Sequence, residues 1–244
     1  MLVAVDNKFH NKLLARLSTA DLALLSEKLL VVDFGRGDML IEAHMPIRQI
    51  YFIEAGIASV VAATANGCQA EVGIIGNEGM IDVATVLGSL IAPMQINMLT
   101  LGHGYSLPPG ALQRAMVQSI TLRTVMLDYA QAYLVEVAQA ALATATLSIK
   151  ARLARRLLLC DDRMEGCEMA MTHEFLSLML SVRRPGVTEA VQYIEGAGAV
   201  RALRGRISIL DRAILQQIAG EGYYRPRFGT GPSKHSERSP RLAA

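Results

Sequence analysis

"LSVRRPGVTEAVQYIEGAGAVRALRGRISILD", residues 180–211, opens with two adjacent arginines, passes through Pro-Gly and settles into a helical apolar pattern. Pro185 sits where a first helical turn favours proline, because the missing N–H has no intrahelical acceptor there. Val187, Val191 and Ile194 share one face, and Gly196 and Gly198 end the helix. Upstream, "THEFLSLML" predicts a short helix with Thr172 as N-cap, its hydroxyl accepting a free backbone N–H. Only "SVRR" separates the two helices. Downstream, "AVRALRGRISIL" alternates around Gly205 and predicts two short strands carrying Arg201, Arg204 and Arg206. Two short helices across a tight turn, followed by a basic hairpin, make a winged helix-turn-helix. In that motif the second helix enters the major groove of double-stranded DNA and its first residues meet base edges. A guanidinium there can take both O6 and N7 of a guanine.

Working outward, "TLSIKARLARRLLLCDDR" (146–163) predicts a helix with Leu147, Ala151, Ala154, Leu157 and Leu158 inward. Its Lys150, Arg152, Arg155, Arg156 and Arg163 are expected on a solvated face, some within reach of phosphate. Before it, 111–145 predicts a long helix with a break near Gln118-Ser119. Leu122, Met126, Tyr129, Tyr133, Val137, Ala140 and Thr144 form one stripe; Leu127, Leu134, Ala138, Ala141 and Leu142 form a second. The first stripe can pack on the rest of the protomer. The second is expected either against a second copy of itself, which would make a homodimer, or within one subunit.

Between residues 30 and 108 the texture is short apolar runs cut by Gly, Asp, Asn and Pro: "GRGD", "MP", "AG", "NG" and "GN". Such spacing predicts a small antiparallel sandwich or barrel. Asn66-Gly67 is a strong hairpin signal, because both residues tolerate positive φ. Residues 8–30 predict helix, with a second start at Ser18-Thr19 and Asp21, and the tail from Pro226 has a disordered composition.

The totals agree with a globular protein: 52% apolar and 19% charged residues. No apolar run is long enough to cross a bilayer, and the first twenty residues lack a secretory signal's apolar core, so no membrane partner and a cytoplasmic location are expected. Cys68, Cys160 and Cys167 are too scattered for a disulfide framework or a metal cluster, so no metal or cofactor is expected. Residues 1–146 carry 8 basic and 12 acidic side chains, whereas 147–225 carry 12 and 9, and 226–244 carry 4 and 1. A basic rear half suits a polyanionic partner. "GIIGNEG" lacks the dinucleotide fingerprint's spacing, and there is no nucleophile elbow, zinc-protease motif or P-loop; no enzyme is expected.

Taken in order, "GRGD", "EAGIAS", "GNEGM", a long helix and "THEFLSLMLSVRRPGVTEAV" resemble the Crp–Fnr transcription regulators over about 13–225. The resemblance implies an α+β chain. A cyclic-nucleotide-binding-type β-roll, a jelly roll, spans 1–110, a connecting and dimerisation helix 111–146 and a winged helix-turn-helix 147–225, with a disordered tail at 226–244. It implies palindromic DNA sites bound by a homodimer that contacts RNA polymerase. By position, Arg184 matches the arginine that reads guanine. Arg183, Thr188, Glu189 and Gln192 fall on the exposed helix face, with Thr172, Arg204 and Arg206 as further DNA contacts. Pro185 and Glu189 replace a glutamate and an arginine of the best-known members, so the preferred site should differ. Glu78 matches the ribose-binding glutamate, making Glu78, Gly79 and Met80 the candidate effector pocket. The stretch from Met80 to Met98 has no arginine or lysine to hold a cyclic phosphate, so the effector is something other than cyclic AMP, or there is none. The alternative is a ligand-sensing or scaffold protein whose helix-turn-helix does not bind DNA.

Overall fold

The computed structural model describes residues 9–164, 168–169 and 171–223. Elements run α1 (Thr19–Ser26), β1 (Leu30–Phe34), β2 (Met39–Ile41), β3 (Ile50–Ala55), β4 (Ala58–Ala63), β5 (Gln69–Ile75), β6 (Met80–Ile81), α2 (Val83–Val86), β7 (Gln95–Met98) and β8 (Gly102–Leu107). Then follow α3 (Pro109–Gln118), α4 (Ile120–Thr146), α5 (Ile149–Asp161), β9 (Glu168–Met169), α6 (His173–Leu180), α7 (Arg184–Gly196), β10 (Val200–Leu203), β11 (Arg206–Ile209) and α8 (Arg212–Ala219).

Two four-stranded antiparallel sheets, ordered β1-β8-β3-β6 and β2-β7-β4-β5, make the roll. The alternation of apolar side chains puts Ile50, Phe52, Val60, Ile75, Met80, Ile96 and Leu107 in one dry core between them. The β4–β5 hairpin forms around Asn66-Gly67, through a five-residue connection (64–68) in which Gly67 takes a positive φ of 79° and Asn66 does not.

The amino-terminal segment departs from the expected helix over 8–30. It contains a single 3-10 turn at Leu14–Arg16, then α1, and strand begins already at Leu30. Asn11 explains the first interruption. Its fully buried side chain donates to the carbonyls of Ile53 and Gly79, and its Oδ1 accepts the N–H groups of Leu13 and Leu14. Such side-chain bonds compete with the helical ladder. Ser18 then caps α1 by accepting the Asp21 N–H at 3.1 Å.

The long helical region breaks where expected. Ser119 is extended (φ −123°) and its hydroxyl accepts the Leu122 N–H at 3.1 Å, starting α4 afresh. The first stripe enters the roll: Leu122, Met126, Tyr129 and Tyr133 are buried. Tyr129 donates its hydroxyl to the Met80 carbonyl at 2.7 Å, and a Cβ on Gly79 would collide with its ring. The "EGM" glycine is therefore a packing glycine. Leu127, Leu134 and Leu142 of the second stripe are 44%, 52% and 54% exposed on this protomer.

A second core gathers Leu153, Leu157 and Leu158 of α5, Leu176 of α6, Val187 and Ile194 of α7, Ile207 of β11 and Leu215 of α8. Each fully buried leucine or isoleucine contributes roughly 1.5–3 kcal/mol. Ile57 and Ile74 of the roll join this core, so the carboxy-terminal domain is seated on the roll through apolar contact. α6 packs against β5 at that seam.

Candidate nucleic-acid interface

The interface is built on α6, the turn, α7 and the β10–β11 hairpin. Thr172 caps α6, accepting the Phe175 N–H at 3.2 Å. Ser181 closes the helix in the left-handed region (φ 51°), which reverses the chain within a few residues. Arg183 is the N-cap of α7 and Pro185 lies in its first turn, where the ring costs no hydrogen bond. Val187, Ala190, Val191 and Ile194 bury the inner face of α7 against α5 and α6. Burying that face fixes the rotation of the helix. Arg183, Arg184, Glu189 and Gln192 consequently reach solvent, and Thr188 is half-buried.

The polar groups on this surface are only lightly held. Arg184 lies 3.3 Å from Glu174, and both side chains are mostly exposed. Thr188 Oγ1 bonds the Arg184 carbonyl at 3.2 Å and sits 3.4 Å from His173 Nδ1. An exposed ion pair of this kind is worth at most about 1 kcal/mol, so the Arg184 guanidinium is free to trade Glu174 for another acceptor. Glu195 accepts the Ala202 N–H at 2.8 Å and ties α7 to the hairpin. The hairpin turns at Arg204-Gly205, with Gly205 at φ 75°, and Gly205 lies close to Thr172. Arg201, Arg204 and Arg206 are exposed on it. Thr172, Arg183, Arg184, Thr188, Glu189, Gln192, Arg204 and Arg206 thus all belong to the surface formed by α6, α7 and the hairpin. Glu174 and His173, which sequence reading passed over, belong with them. The signal for them was present, since the first turn of α6 must face the first turn of α7 in this motif.

The arginines of α5 are a correction. Arg155, Arg156 and Arg163 were expected on a solvated face, yet they are only 6%, 7% and 9% exposed. Four consecutive apolar residues, Leu157 to Cys160, cover every side of one helical turn and leave it no solvent side. Arg163 donates through Nε to Glu78 at 2.6 Å and to both oxygens of Glu136 at 2.8 and 2.9 Å, while Nη1 bonds the Leu159 carbonyl at 3.1 Å. Burial opposes the Arg163 charge, but Glu78 and Glu136 more than offset it and hold the guanidinium above its ordinary range. Burial pushes the Glu136 carboxyl up, against the pull of Arg163. Arg156 pairs with Glu71 of β5, and burial lowers its guanidinium to about 10. Arg152 donates to the Leu180 carbonyl at the end of α6, and Arg155 to the Gly222 carbonyl. These cations hold the chain together and are not offered to phosphate.

The candidate effector residues are placed differently from one another. Glu78 is half-buried and paired with Arg163; Gly79 and Met80 are buried under Tyr129. The cleft bounded by the arginine-free stretch, lined by Asp82, Val83, Ala84, Pro93, Met94, Ile96 and Tyr133, measures about 30 Å³. That is the space of one water, and its one charged group is the acidic Asp82. Burial raises the Asp82 carboxyl, which also caps α2 from a left-handed backbone (φ 79°). A cyclic phosphate does not fit there. Cys160 is buried and Cys68 exposed; Cys167 and the tail at 226–244 lie outside the described residues. Among the described residues no three His, Cys, Asp or Glu are grouped as metal ligands, and no helix is long and apolar enough to cross a membrane.

Residues 151–218 match the Crp-like helix-turn-helix domain. No curated protein matches the chain in sequence. The fold is shared with solved regulators. A transcriptional regulator of the Crp/Fnr family from Eubacterium rectale superposes with a TM-score of 0.69 at 19% identity, over 86% of this chain and 98% of that one. FixK2 from Bradyrhizobium japonicum gives 0.68 at 12% identity, over 79% and 98%. The c-di-GMP-responsive global regulator CLP of Xanthomonas campestris gives 0.60 at 13% identity, over 79% and 99%.

Proposed function

We infer that this chain, which carries a Crp-like helix-turn-helix domain on the fold of the Crp/FNR regulators, is a sequence-specific DNA-binding transcription regulator. The observation that carries the reading is the split character of α7. One face is fixed in the core by Val187, Val191 and Ile194, while the other presents Arg183, Arg184, Glu189 and Gln192 to solvent at its leading end.

Arg184 supplies a fork for guanine O6 and N7, and Glu189 accepts from a cytosine amino group. Thr172, Arg204 and Arg206 grip the backbone beside it, which orients the helix without reading sequence. Two protomers pair along Leu127, Leu134, Ala138, Ala141 and Leu142 of α4. Their recognition helices then lie about 34 Å apart, one turn of the duplex, and the bound site is palindromic. RNA polymerase is the further partner that this reading implies, and the cytoplasm is where all three meet. The chemistry on offer is recognition of bases and phosphates, so the protein acts by binding and not as an enzyme. The 30 Å³ cleft, whose one charged lining group is acidic, supports an effector other than cyclic AMP, or none.

The test is retention of random genomic fragments on the purified protein across a salt series. Sequence-selective, salt-dependent retention of fragments sharing a two-fold symmetric motif is expected. Arg184→Ala should lose about 1–3 kcal/mol of discrimination at one position in each half-site. Equal weakening on every sequence would make Arg184 a phosphate contact and remove it as the base reader.

A further inference from the structure

A second cleft, far larger than the first, lies where the roll meets the end of α5. It measures about 430 Å³ and is lined by His10, Glu54, Ala55, Gly56, Asn77, Thr100, Leu101, His103, Arg163 and Met164. That volume lies within the range of small-molecule sites, about 300–1,000 Å³. We propose that this cleft is the effector site of the regulator and that it takes a small metabolite carrying a protonated amine. The role as effector site rests on the reading of the chain as a regulator; the binding chemistry does not.

The charge balance of the lining selects the ligand: Glu54 is its one carboxylate, Arg163 is offset by Glu78 and Glu136, and the His10 and His103 imidazoles complete the polar wall. Glu54 is 9% exposed, and its carboxylate accepts the N–H groups of His10 at 2.7 Å and Asn11 at 3.2 Å. Each of its oxygens keeps a lone pair for a further donor. Asn77 Oδ1 is buried and has no hydrogen-bond partner among the described residues. Both groups are acceptors. The one arginine on the wall, Arg163, has Nε, Nη1 and Nη2 already committed to Glu78, the Leu159 carbonyl and Glu136. An anion entering the cleft would meet the Glu54 carboxylate and an Arg163 guanidinium whose charge Glu78 and Glu136 already balance. A protonated amine would meet the Glu54 carboxylate in a charge-assisted bond, and a small turn of the Asn77 side chain would bring its enclosed, unpartnered Oδ1 to the same ligand. Leu101, which is 75% exposed, and Met164 offer apolar contact to a short carbon stem.

The position of the cleft gives its occupant a route to the DNA-binding domain. Glu54, Asn77, Thr100 and His103 belong to the roll, whereas Arg163 and Met164 follow the first helix of the carboxy-terminal domain. The wall residue Arg163 is the one that ties Glu78 of the roll and Glu136 of α4 to that domain. An amine bound here bridges both domains beside their common ion cluster, and its binding energy differs between docked and undocked arrangements. That difference is what any effector must supply to shift a conformational equilibrium.

Calorimetric titration of the full chain tests the proposal, with putrescine and agmatine as amine probes and 1,4-butanediol and cyclic AMP as controls. Saturable binding of an amine probe is expected, with neither control bound. Glu54→Gln should weaken it about tenfold or more, as loss of a charge-assisted bond does. Ala55→Trp, at an exposed position on the cleft wall, should abolish it while leaving the unfolding transition intact, and so guards against Glu54→Gln simply loosening the amino-terminal segment. Absence of amine binding overturns the proposal. So does binding indifferent to both variants, binding of butanediol or cyclic AMP with equal strength, or amine binding that emerges only after residues 1–8 are removed. Fragment retention is measured separately on the same protein. Amine binding without DNA binding would sink the regulator reading and leave the site; DNA binding without amine binding would do the reverse.

Discussion

Arg183 and Arg184 reach solvent from the first turn of α7, whereas Arg155, Arg156 and Arg163 are almost fully enclosed at the seam between roll and carboxy-terminal domain. The same side chain serves two purposes. At α7 its partners among the described residues are absent or weakly held, as for Arg184 and Glu174, and the group is available to an outside acceptor. At the seam each nitrogen of Arg163 donates to an internal acceptor. An enclosed guanidinium is costly unless its charge is paired, as Arg163 is with Glu78 and Glu136 and Arg156 with Glu71, and removing it strands carboxylates that were buried with it. The contrast teaches that exposure and commitment, not residue type, separate a recognition arginine from a structural one.

The sharpest way to break this contrast is Arg163→Met. It leaves Glu78 and Glu136 facing each other without a cation and should cost about 3–5 kcal/mol of stability in urea unfolding. Adding Glu78→Gln and Glu136→Gln to it should restore most of that loss. A cost below about 1 kcal/mol would place the cluster with ordinary exposed ion pairs.

Next in size is the other set of exposed groups awaiting a partner, the second stripe of α4. Leu134→Glu leaves the monomer core untouched, because Leu134 is 52% exposed. It should abolish the dimer in sedimentation velocity and lower affinity for a two-half-site duplex by roughly 10²-fold, as loss of bivalent binding does. A monomeric parent protein, or an unchanged dimer in the variant, would detach this stripe from self-association. Smaller again is Arg184→Ala. Its stability should stay within about 0.5 kcal/mol of the parent, as for surface changes generally, while base discrimination falls. Together Arg163→Met and Arg184→Ala should move stability and sequence preference independently.

Much of this was legible in the sequence because the relevant signals are local. Pro185 in a first turn, Thr172 as a cap, Gly205 in a two-residue turn and the break at Ser119 each depend on neighbours a few residues away, and the structure holds them where the pattern put them. The exposed side of α7 followed from its apolar face by subtraction. What was not legible depended on contacts distant in the chain. Asn11 stops a helix because Ile53 and Gly79 offer it carbonyls. Arg163 is buried because Glu78 and Glu136, 85 and 27 residues away, meet it there. Helical periodicity records which side of α5 is apolar and carries no information about which remote carboxylates close over its end. The run Leu157 to Cys160 was the available warning, since a helix turn apolar on all sides has no solvated face to give its arginines.

The smallest effect separates two buried carboxyls that the fold treats oppositely. Asp21 is held below its ordinary value, chiefly by the hydroxyl of Ser119 and then, against the opposing effect of burial, by Ser18 and Thr121. Glu136 is pushed up by burial. A depressed carboxyl binds fewer protons folded than unfolded, so the stability it lends is present above its unfolded value near 3.8 and disappears as pH falls through the lower folded value. A raised carboxyl works the other way: its contribution is largest in acid and is lost as pH climbs through its folded value. Asp21→Asn should therefore cost about 0.5–1.5 kcal/mol at neutral pH, because one hydroxyl donor loses its acceptor, and the gap to the parent should narrow as pH falls below 4. Denaturant melts at pH 7 and pH 3 on both proteins read this directly. A gap that widens in acid would mean that Asp21 is protonated in the folded chain and that its hydroxyl ring is not what joins α1 to the start of α4.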